Sequence, residues 1–199
     1  MAEATGNVRL ASGDALIVVD VQNDFLPGGA LAVPRGDEVI PVLNDGAAAF
    51  DNRGLRVFAT RDWHPPDHCS FQARGGPWPP HCIAGTRGAE FPPQLKLPPS
   101  ATVISKATRP DRDAYSGFEG TDLDGALKRA GVRRVFVGGL ATDYCVLNTV
   151  RDALKLGYET YVIADAIRAV NVRSEDGRKA EEEMQRLGAK RIELMRLAP

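Results

Sequence analysis

The sequence predicts an α/β fold, with a doubly wound, mainly parallel sheet of six strands and helices on both faces. Short apolar runs rich in β-branched residues recur along the chain, and segments with helical spacing of apolar residues lie between most of them. Continuous apolar runs are typical of parallel strands that are buried on both faces. The alternation of strands and helices favours the doubly wound arrangement.

Each predicted element rests on its own pattern. The strands cover residues 15–20, 55–60, 101–105, 134–140, 159–164 and, with the weakest pattern, 191–195. The helical segments cover residues 39–50, 123–127, 146–154 and 175–188. Thr121 is a candidate N-cap of the second helix, and Gly131 is its stop. In the fourth helix, Ala180, Met184 and Leu187 are expected to face inward.

The composition is that of an ordinary globular protein. The 199 residues contain 25 Lys and Arg against 26 Asp and Glu, a net charge of −1, so we expect neither nucleic acid nor a membrane as a partner. No run approaches the roughly 20 apolar residues that span a bilayer. On folding, a chain of this length can bury roughly 70% of the surface that its unfolded form exposes, which is enough for one sizeable core. We therefore predict a single domain over residues 1–199.

The three cysteines are too few, and odd in number, for a disulfide framework. Reduced thiols and a cytoplasmic location are therefore expected. Residues 1–5 lack a basic region followed by an apolar one, so no signal peptide is expected. The nearly neutral charge leaves the oligomeric state open, homo-oligomers included.

A proline-rich loop over about residues 62–100 is the first place to look for a site. Nine of the fourteen prolines fall between Pro65 and Pro99, which excludes a helix or an interior strand there. The loop also carries both tryptophans and all three histidines. Long loops in compact domains are functional or disordered, and this composition is poor for disorder.

Reactive side chains follow separate predicted strands. Asp20 ends the first strand, Lys106 follows the third, and Cys145 opens the helix after the fourth. In open α/β sheets such strand ends meet at one edge, where ligands bind. A cysteine at a helix N-terminus beside a lysine is activated as a thiolate, and a carboxylate can carry its proton. The alternative is that Cys145 is only a buried, small apolar residue.

Asp62, His64 and His81 have the ligand types of an open metal site. One divalent ion is predicted, with Zn²⁺ foremost and Fe²⁺ or Mn²⁺ as alternatives. A competing interpretation makes Asp62 a cap and the histidines surface residues. His68 is either a fourth ligand or a residue that positions the ligands. A structural zinc site with Cys69 and Cys82 is disfavoured, because paired C-x₂₋₄-C spacing is absent.

Five motifs follow one another along the chain: VDVQNDF at 19–25, DWHPPDHCSF at 62–71, WPPHC at 78–82, Lys106 followed by DAYSGF at 113–118, and GLATDYCV at 139–146. In this order they resemble the motifs of the nicotinamidases, the pyrazinamide-hydrolysing members of the isochorismatase-like cysteine hydrolases. The resemblance spans about residues 16–165. Ala107 stands where the family commonly has glycine, which we expect to adjust the loop without abolishing activity.

The resemblance implies a catalytic set and a reaction. Cys145 would be the nucleophile, Asp20 the general base and later acid, and Lys106 the cation that stabilises the thiolate. Backbone N–H groups of Ala141 and Cys145 would face the oxyanion, with a cis peptide between Leu140 and Ala141. The implied reaction is hydrolysis of nicotinamide to nicotinate and ammonia, a step of NAD salvage, with pyrazinamide as a further substrate.

The resemblance also implies how this small-molecule substrate is held. Asp62, His64 and His81 would bind the metal, whose open position takes the pyridine nitrogen. The aromatic side chains that would border the ring are Phe25, Trp78 and Tyr115. Two alternatives stay open: another small-amide or isochorismate hydrolase of this fold, and a ligand-binding member without catalysis. Isochorismatase-type members lack the cysteine, and carbamoyl-amide members generally lack the metal set, whereas this chain has both.

Overall fold

Strands and helices alternate along the chain as the sequence predicts. The computed structural model describes residues 7–198, so residues 1–5, for which no signal peptide is expected, lie outside the described residues. The strands are β1 (Val8–Arg9), β2 (Asp14–Val19), β3 (Arg56–Asp62), β4 (Thr102–Lys106), β5 (Arg134–Leu140), β6 (Glu159–Arg168), β7 (Lys190–Ile192) and β8 (Leu197–Ala198). The α-helices are α1 (Val39–Asp51), α2 (Leu123–Arg129), α3 (Leu147–Lys155) and α4 (Asp176–Arg186).

Six of the strands form one parallel sheet in the order β4-β3-β2-β5-β6-β7. The prediction of a doubly wound sheet of six strands is thereby confirmed. The winding reverses between β2 and β5, since β2 pairs with β3 on one side and with β5 on the other. Ligands bind at the carboxyl edge of such a reversal. The ends of β2, β3, β4 and β5 are therefore the place for a site.

Helices cover both faces of the sheet, as predicted. All six residues of β2 are buried, and the five from Ala15 to Val19 alternate between two apolar clusters. Leu16 and Val18 pack in the cluster that contains α1. Ala15, Ile17 and Val19 pack in the cluster that contains α2, α3 and α4. Burial on both faces explains why this strand is a continuous apolar run.

Two predictions near the carboxyl terminus were wrong, and one pair of short strands was not predicted. Leu187 does not face inward: α4 ends at Arg186, and the Leu187 side chain is 43% exposed. The sixth sheet strand ends at Ile192, and Met195, predicted within it, lies in a 3-10 turn and is 81% exposed. The short parallel pair of β1 and β8 was not predicted, because two-residue strands carry no readable periodicity.

The other elements lie close to their predicted places. The second helix begins at Leu123, so Thr121 is one residue too early for the N-cap, although its hydroxyl accepts the N–H of Leu123 at 3.2 Å. The proline-rich loop connects β3 to β4 and contains 3-10 turns at Gln72–Arg74 and Arg87–Ala89. Within residues 7–198, each helix is too short or too polar to cross a bilayer.

Candidate active site

Asp20, Lys106 and Cys145 lie together at the carboxyl edge of the sheet. The Nζ atom of Lys106 is 3.0 Å from Oδ2 of Asp20 and 3.5 Å from Sγ of Cys145. All three side chains are buried, with relative exposures of 0%, 1% and 6% for Asp20, Lys106 and Cys145. The structure thus brings a carboxylate, an ammonium and a thiol together out of contact with bulk water.

The backbone at the ends of β2 and β5 produces this close approach. Asp20 has a φ of 48°, a left-handed conformation that is unfavourable for a residue with a side chain and that recurs at functional sites. The hydroxyl of Thr60 donates to Oδ1 of Asp20 at 2.6 Å and orients the carboxylate. A Cβ atom at Gly139 would lie 2.1 Å from the carbonyl oxygen of Val19, so only glycine lets β5 pass β2 here.

The burial and the mutual charges set the protonation of the three groups. Burial raises the pKa of the Asp20 carboxyl group and of the Cys145 thiol, while the Lys106 ammonium opposes both shifts. Burial alone would lower the pKa of Lys106, but the Asp20 and Asp62 carboxylates outweigh it and hold that pKa well above its usual value. Lys106 is therefore held as an ammonium. The expected thiolate needs correction, because burial favours the thiol form of Cys145, which has a carboxyl group within 4.8 Å.

Cys145 lies in a tight turn that leads from β5 into α3. Residues Thr142–Val146 form a π-helical turn, in which two backbone N–H groups donate to the carbonyl oxygen of Ala141 at 3.1 Å each. The peptide between Leu140 and Ala141 is cis, as the resemblance implies. Single π-helical turns are rare in proteins as a whole, and those that occur are often found at functional sites. Negative charge on the sulfur would lie near the amino-terminal end of α3, which favours it.

Asp62, His64 and His81 form a second cluster beside Lys106. Their candidate ligand atoms all lie within 4.8 Å of one another, and all three side chains are buried. Asp62 ends β3, whereas the two histidines come from the proline-rich loop. Burial would raise the pKa of Asp62, but Lys106, with Nζ 2.5 Å from Oδ1, holds it below its usual value. An anionic carboxylate and two imidazoles therefore converge.

The hydrogen bonds of the two histidines fit a metal ion. Nδ1 of His81 lies 2.8 Å from the carbonyl oxygen of Pro79, and Nδ1 of His64 lies 3.3 Å from that of Ala107. Because a carbonyl oxygen only accepts hydrogen bonds, each Nδ1 carries a proton, and in a neutral ring the lone pair is then on Nε2. Nε2 of His64 is buried and has no hydrogen-bond partner among the described residues. Residues Asp62, His64 and His81 therefore form a candidate site for a divalent metal ion.

Ala107 contributes to this cluster through its backbone. Its φ is 51°, in the left-handed region that glycine adopts more readily. Its carbonyl oxygen nevertheless faces the His64 ring. The departure from glycine thus leaves the local hydrogen bond in place.

The side chain of Gln22 fixes the backbone of Asp62, a role that the sequence reasoning missed. Its side-chain amide accepts the N–H of Asp62 at 2.7 Å and donates to the carbonyl oxygens of Asp62 and Ala89 at 2.7 and 2.9 Å. The Gln22 side chain is fully buried. It lies inside the first motif, VDVQNDF, but nothing in that pattern indicates which backbone groups it binds.

His68 packs against this cluster without offering a free nitrogen. Its ring packs against that of His64, with centroids 4.2 Å apart and the ring planes tilted by 32°. Nδ1 lies 2.7 Å from the Ser70 hydroxyl, and Nε2 lies 3.1 Å from the carbonyl oxygen of Arg112. With both nitrogens engaged, His68 fits the positioning alternative better than the ligand alternative. Among the described residues, Cys69 and Cys82 belong to no candidate metal cluster, and both are free thiols.

An aromatic pocket opens onto both clusters. Tyr115 accepts a hydrogen bond at its hydroxyl from Nε1 of Trp78 at 2.9 Å, and the Tyr144 ring packs edge-on to Trp78 at 5.1 Å. The lining residues are Phe25, Leu31, Val33, Asp62, Trp78, His81, Tyr115, Ala141, Tyr144, Cys145 and Val170. Sequence reasoning missed Leu31, Val33, Tyr144 and Val170. A broader, more open groove beside Pro27 lacks this cluster of buried ionisable groups, so the chemistry belongs to the aromatic pocket.

These features define a class: a doubly wound α/β protein in which a buried cysteine, lysine and aspartate adjoin a candidate metal site. The chain belongs to the isochorismatase family, since the family model "Isochorismatase domain" matches residues 14–193.

Individual relatives are similar over most of the chain. Nicotinamidase of Escherichia coli is 41% identical over 196 residues, which cover 88% of this chain and 92% of the relative. The crystal structure of pyrazinamidase of Pyrococcus horikoshii in complex with zinc has 52% identity and a TM-score of 0.88, covering 91% of this chain and 99% of that one. The structure of PnC1 from L. infantum in complex with nicotinate has 36% identity and a TM-score of 0.88, and the match covers 96% of this chain and 98% of that one.

Proposed function

We propose that this chain is a metal-dependent cysteine amidohydrolase that converts nicotinamide to nicotinate and ammonia and also accepts pyrazinamide. The observation that carries the proposal is the 3.5 Å distance between Nζ of Lys106 and Sγ of Cys145, with the Asp20 carboxylate on the same ammonium. The similarity to nicotinamidases and to a pyrazinamidase over most of the chain supports this choice of substrates.

The first half of the reaction acylates Cys145. Asp20 takes the proton from Sγ, and the thiolate, paired with Lys106, attacks the amide carbon to form a C–S bond. Backbone N–H groups of Ala141 and Cys145 stabilise the oxyanion. Asp20 then returns the proton to the amide nitrogen, the C–N bond breaks, and ammonia leaves a thioester on Cys145.

The second half hydrolyses the thioester. Asp20, again a carboxylate, takes a proton from a water molecule whose oxygen attacks the acyl carbon. The C–S bond breaks, nicotinate leaves, and the proton on Asp20 returns to the Cys145 sulfur. Over both halves, one amide and one water give one acid and one ammonia, and the three side chains regain their starting states.

Asp62, His64 and His81 would hold one divalent ion, for which we propose zinc. Two imidazoles and a carboxylate suit zinc, and the similar pyrazinamidase of Pyrococcus horikoshii is a complex with zinc. When bound, the ion supplies a Lewis-acid contact for the pyridine nitrogen. Phe25, Trp78 and Tyr115 border the ring and orient its amide toward Cys145.

Other parts of the proposal concern the cell and the assembly. We propose a cytoplasmic enzyme, because its three cysteines are free thiols of a kind that reducing compartments preserve. A single domain over residues 1–199 stays a prediction from the sequence.

The test is ammonia release from a panel of amides by the metal-loaded protein. We expect turnover of nicotinamide and pyrazinamide and none of carbamoyl amides. Turnover of carbamoyl amides alone would favour the alternative small-amide hydrolase. No turnover of any amide, together with binding of nicotinamide, would favour the non-catalytic alternative and overturn the proposal.

A further inference from the structure

The carboxylate of Asp143 joins the turn that carries Cys145 to a distant loop. Asp143 precedes Cys145 by two residues in the π-helical turn. Its Oδ1 accepts the backbone N–H of Val170 at 2.9 Å, and its Oδ2 accepts that of Asn171 at 2.8 Å. Both oxygens of one side chain are therefore used to hold two consecutive residues of the loop after β6.

Helix α4 also holds this loop. Asn171 has a left-handed φ of 55°, and its side-chain oxygen accepts the N–H of Gly177 in the first turn of α4, at 2.8 Å. A Cβ atom at Gly177 would lie 2.5 Å from Cβ of Ala169, so the helix end packs directly on the loop. The segment 169–172, which we call the pocket-wall segment, is thus held by Asp143 and by α4.

The pocket-wall segment contributes one side chain to the substrate pocket, and its second half, Asn171 and Val172, is exposed to solvent. The Val170 side chain lines the pocket together with Tyr144 and Cys145. Two residues on, the Val172 side chain is 64% exposed. Val170 is only partly buried where it packs on the apolar core, so the hydrogen bonds to the Asp143 carboxylate, which are stronger than neutral ones, are an important restraint on this segment.

We propose that Asp143 is a positioning residue: it holds the pocket-wall segment so that Val170 closes one side of the substrate pocket. Its two hydrogen bonds go to backbone groups of that segment and not to the groups that react. The expected consequence is control of substrate affinity with little effect on the chemical step. The kinetic part of this inference rests on the proposed function, because it needs a substrate to measure.

The kinetic test compares Asp143→Ala with wild type on nicotinamide. We expect KM to rise about tenfold, which is less than the full energy of the two lost hydrogen bonds to a charged group, with kcat within about threefold. Asp165→Ala is the matched control, because the Asp165 carboxylate also accepts a backbone N–H, that of Leu194 at 3.0 Å, away from the pocket. The control should keep the wild-type KM. An unchanged KM in Asp143→Ala, or a fall in kcat alone, overturns the inference.

Hydrogen exchange tests the restraint without a substrate. In Asp143→Ala, the amides of Val170 and Asn171 should exchange faster than in wild type, while those of α3 should not change. Equal exchange of the segment in both proteins overturns the inference. If wild type fails to hydrolyse nicotinamide, the proposed function fails, and the exchange result still decides the role of Asp143. If Asp143→Ala does not fold, Asp143→Asn replaces it: its carboxamide keeps one acceptor oxygen, so one of the two amides should exchange faster.

Discussion

Lys106 and Cys145 form a buried contact between an ammonium and a sulfur atom, with Nζ 3.5 Å from Sγ. Water is excluded from this contact, so the attraction between the cation and a thiolate is much stronger than at the surface. The same Nζ lies 3.0 Å from Asp20 and 2.5 Å from Asp62. Lys106 is thus the shared counterion of the nucleophile, the proposed base and one candidate metal ligand.

Replacing Lys106 by methionine should therefore cost both stability and activity. Lys106→Met leaves the Asp20 and Asp62 carboxylates buried without their cation, and removal of one partner of a buried ion pair typically costs about 3–5 kcal/mol. We expect the free energy of unfolding in urea to fall by that amount and ammonia release to be lost. Lys128→Met, which breaks an exposed pair with Asp124, should cost about 0.5 kcal/mol or less. A Lys106→Met protein as stable as wild type would contradict the role of Lys106 as the counterion of these buried carboxylates.

Gln22→Ala should weaken metal binding, because Asp62 loses the side chain that fixes its backbone. Changes to groups that orient a metal ligand typically cost 10- to 100-fold in affinity, and we expect a loss of about that size for Zn²⁺ in a competition assay with a chelator. Asn44→Ala is the matched control, since the Asn44 amide likewise accepts one backbone N–H, from Lys96, and donates to one carbonyl, that of Gln94. Equal zinc affinity in the two variants would show that Gln22 has no such role.

Tyr115→Phe should raise KM for nicotinamide several-fold. The change removes the oxygen that accepts the Trp78 N–H, so the indole that borders the pocket loses its anchor and keeps an unpaired donor. Tyr158→Phe is the control: its hydroxyl donates to the Asp124 carboxylate at 2.8 Å, outside the pocket. Steady-state kinetics decide the matter, and an equal KM in both variants would exclude an orienting role for the Tyr115 hydroxyl.

Glu38 should make stability depend on acid pH. Hydrogen bonds from Arg35 and Arg168 lower its pKa from 4.5 to about 2. Because the folded pKa is the lower one, the ionised group stabilises the fold fully above pH 4.5, and this contribution is lost as pH falls toward 2. The Tm difference between wild type and Glu38→Gln should therefore shrink over that range and with added salt. A Tm difference that stays constant down to pH 2 would contradict a stabilising role of the ionised Glu38 carboxylate.

The main strands could be predicted because burial on both faces leaves a continuous apolar run. For β2, prediction and structure differ by one residue at each end. Leu187 was misplaced because helical spacing continues past Arg186, where the helix ends and Gly188 turns the chain with a φ of 110°. The β1 and β8 pair depends on contact between the two ends of the chain, for which local sequence holds no signal.

The candidate site was predictable where residues follow strand ends, since the topology alone brings those ends together. Asp20, Lys106 and Cys145 are of this kind. Gln22 and Asp143 are not, because their partners are backbone groups 40 and 27 residues away. The choice between metal ligand and positioning residue was left open for His68 for a similar reason. The orientation of its ring depends on the carbonyl oxygen of Arg112, 44 residues further on.

The rate of ammonia release from nicotinamide by Cys145→Ala tests the central claim most directly. Without the sulfur no thioester can form, so the rate should fall by about a thousandfold or more relative to wild type. Cys69→Ala, which removes a partly exposed thiol outside both clusters, should keep the wild-type rate. A Cys145→Ala protein that retains turnover within about tenfold of wild type would contradict nucleophilic catalysis by Cys145.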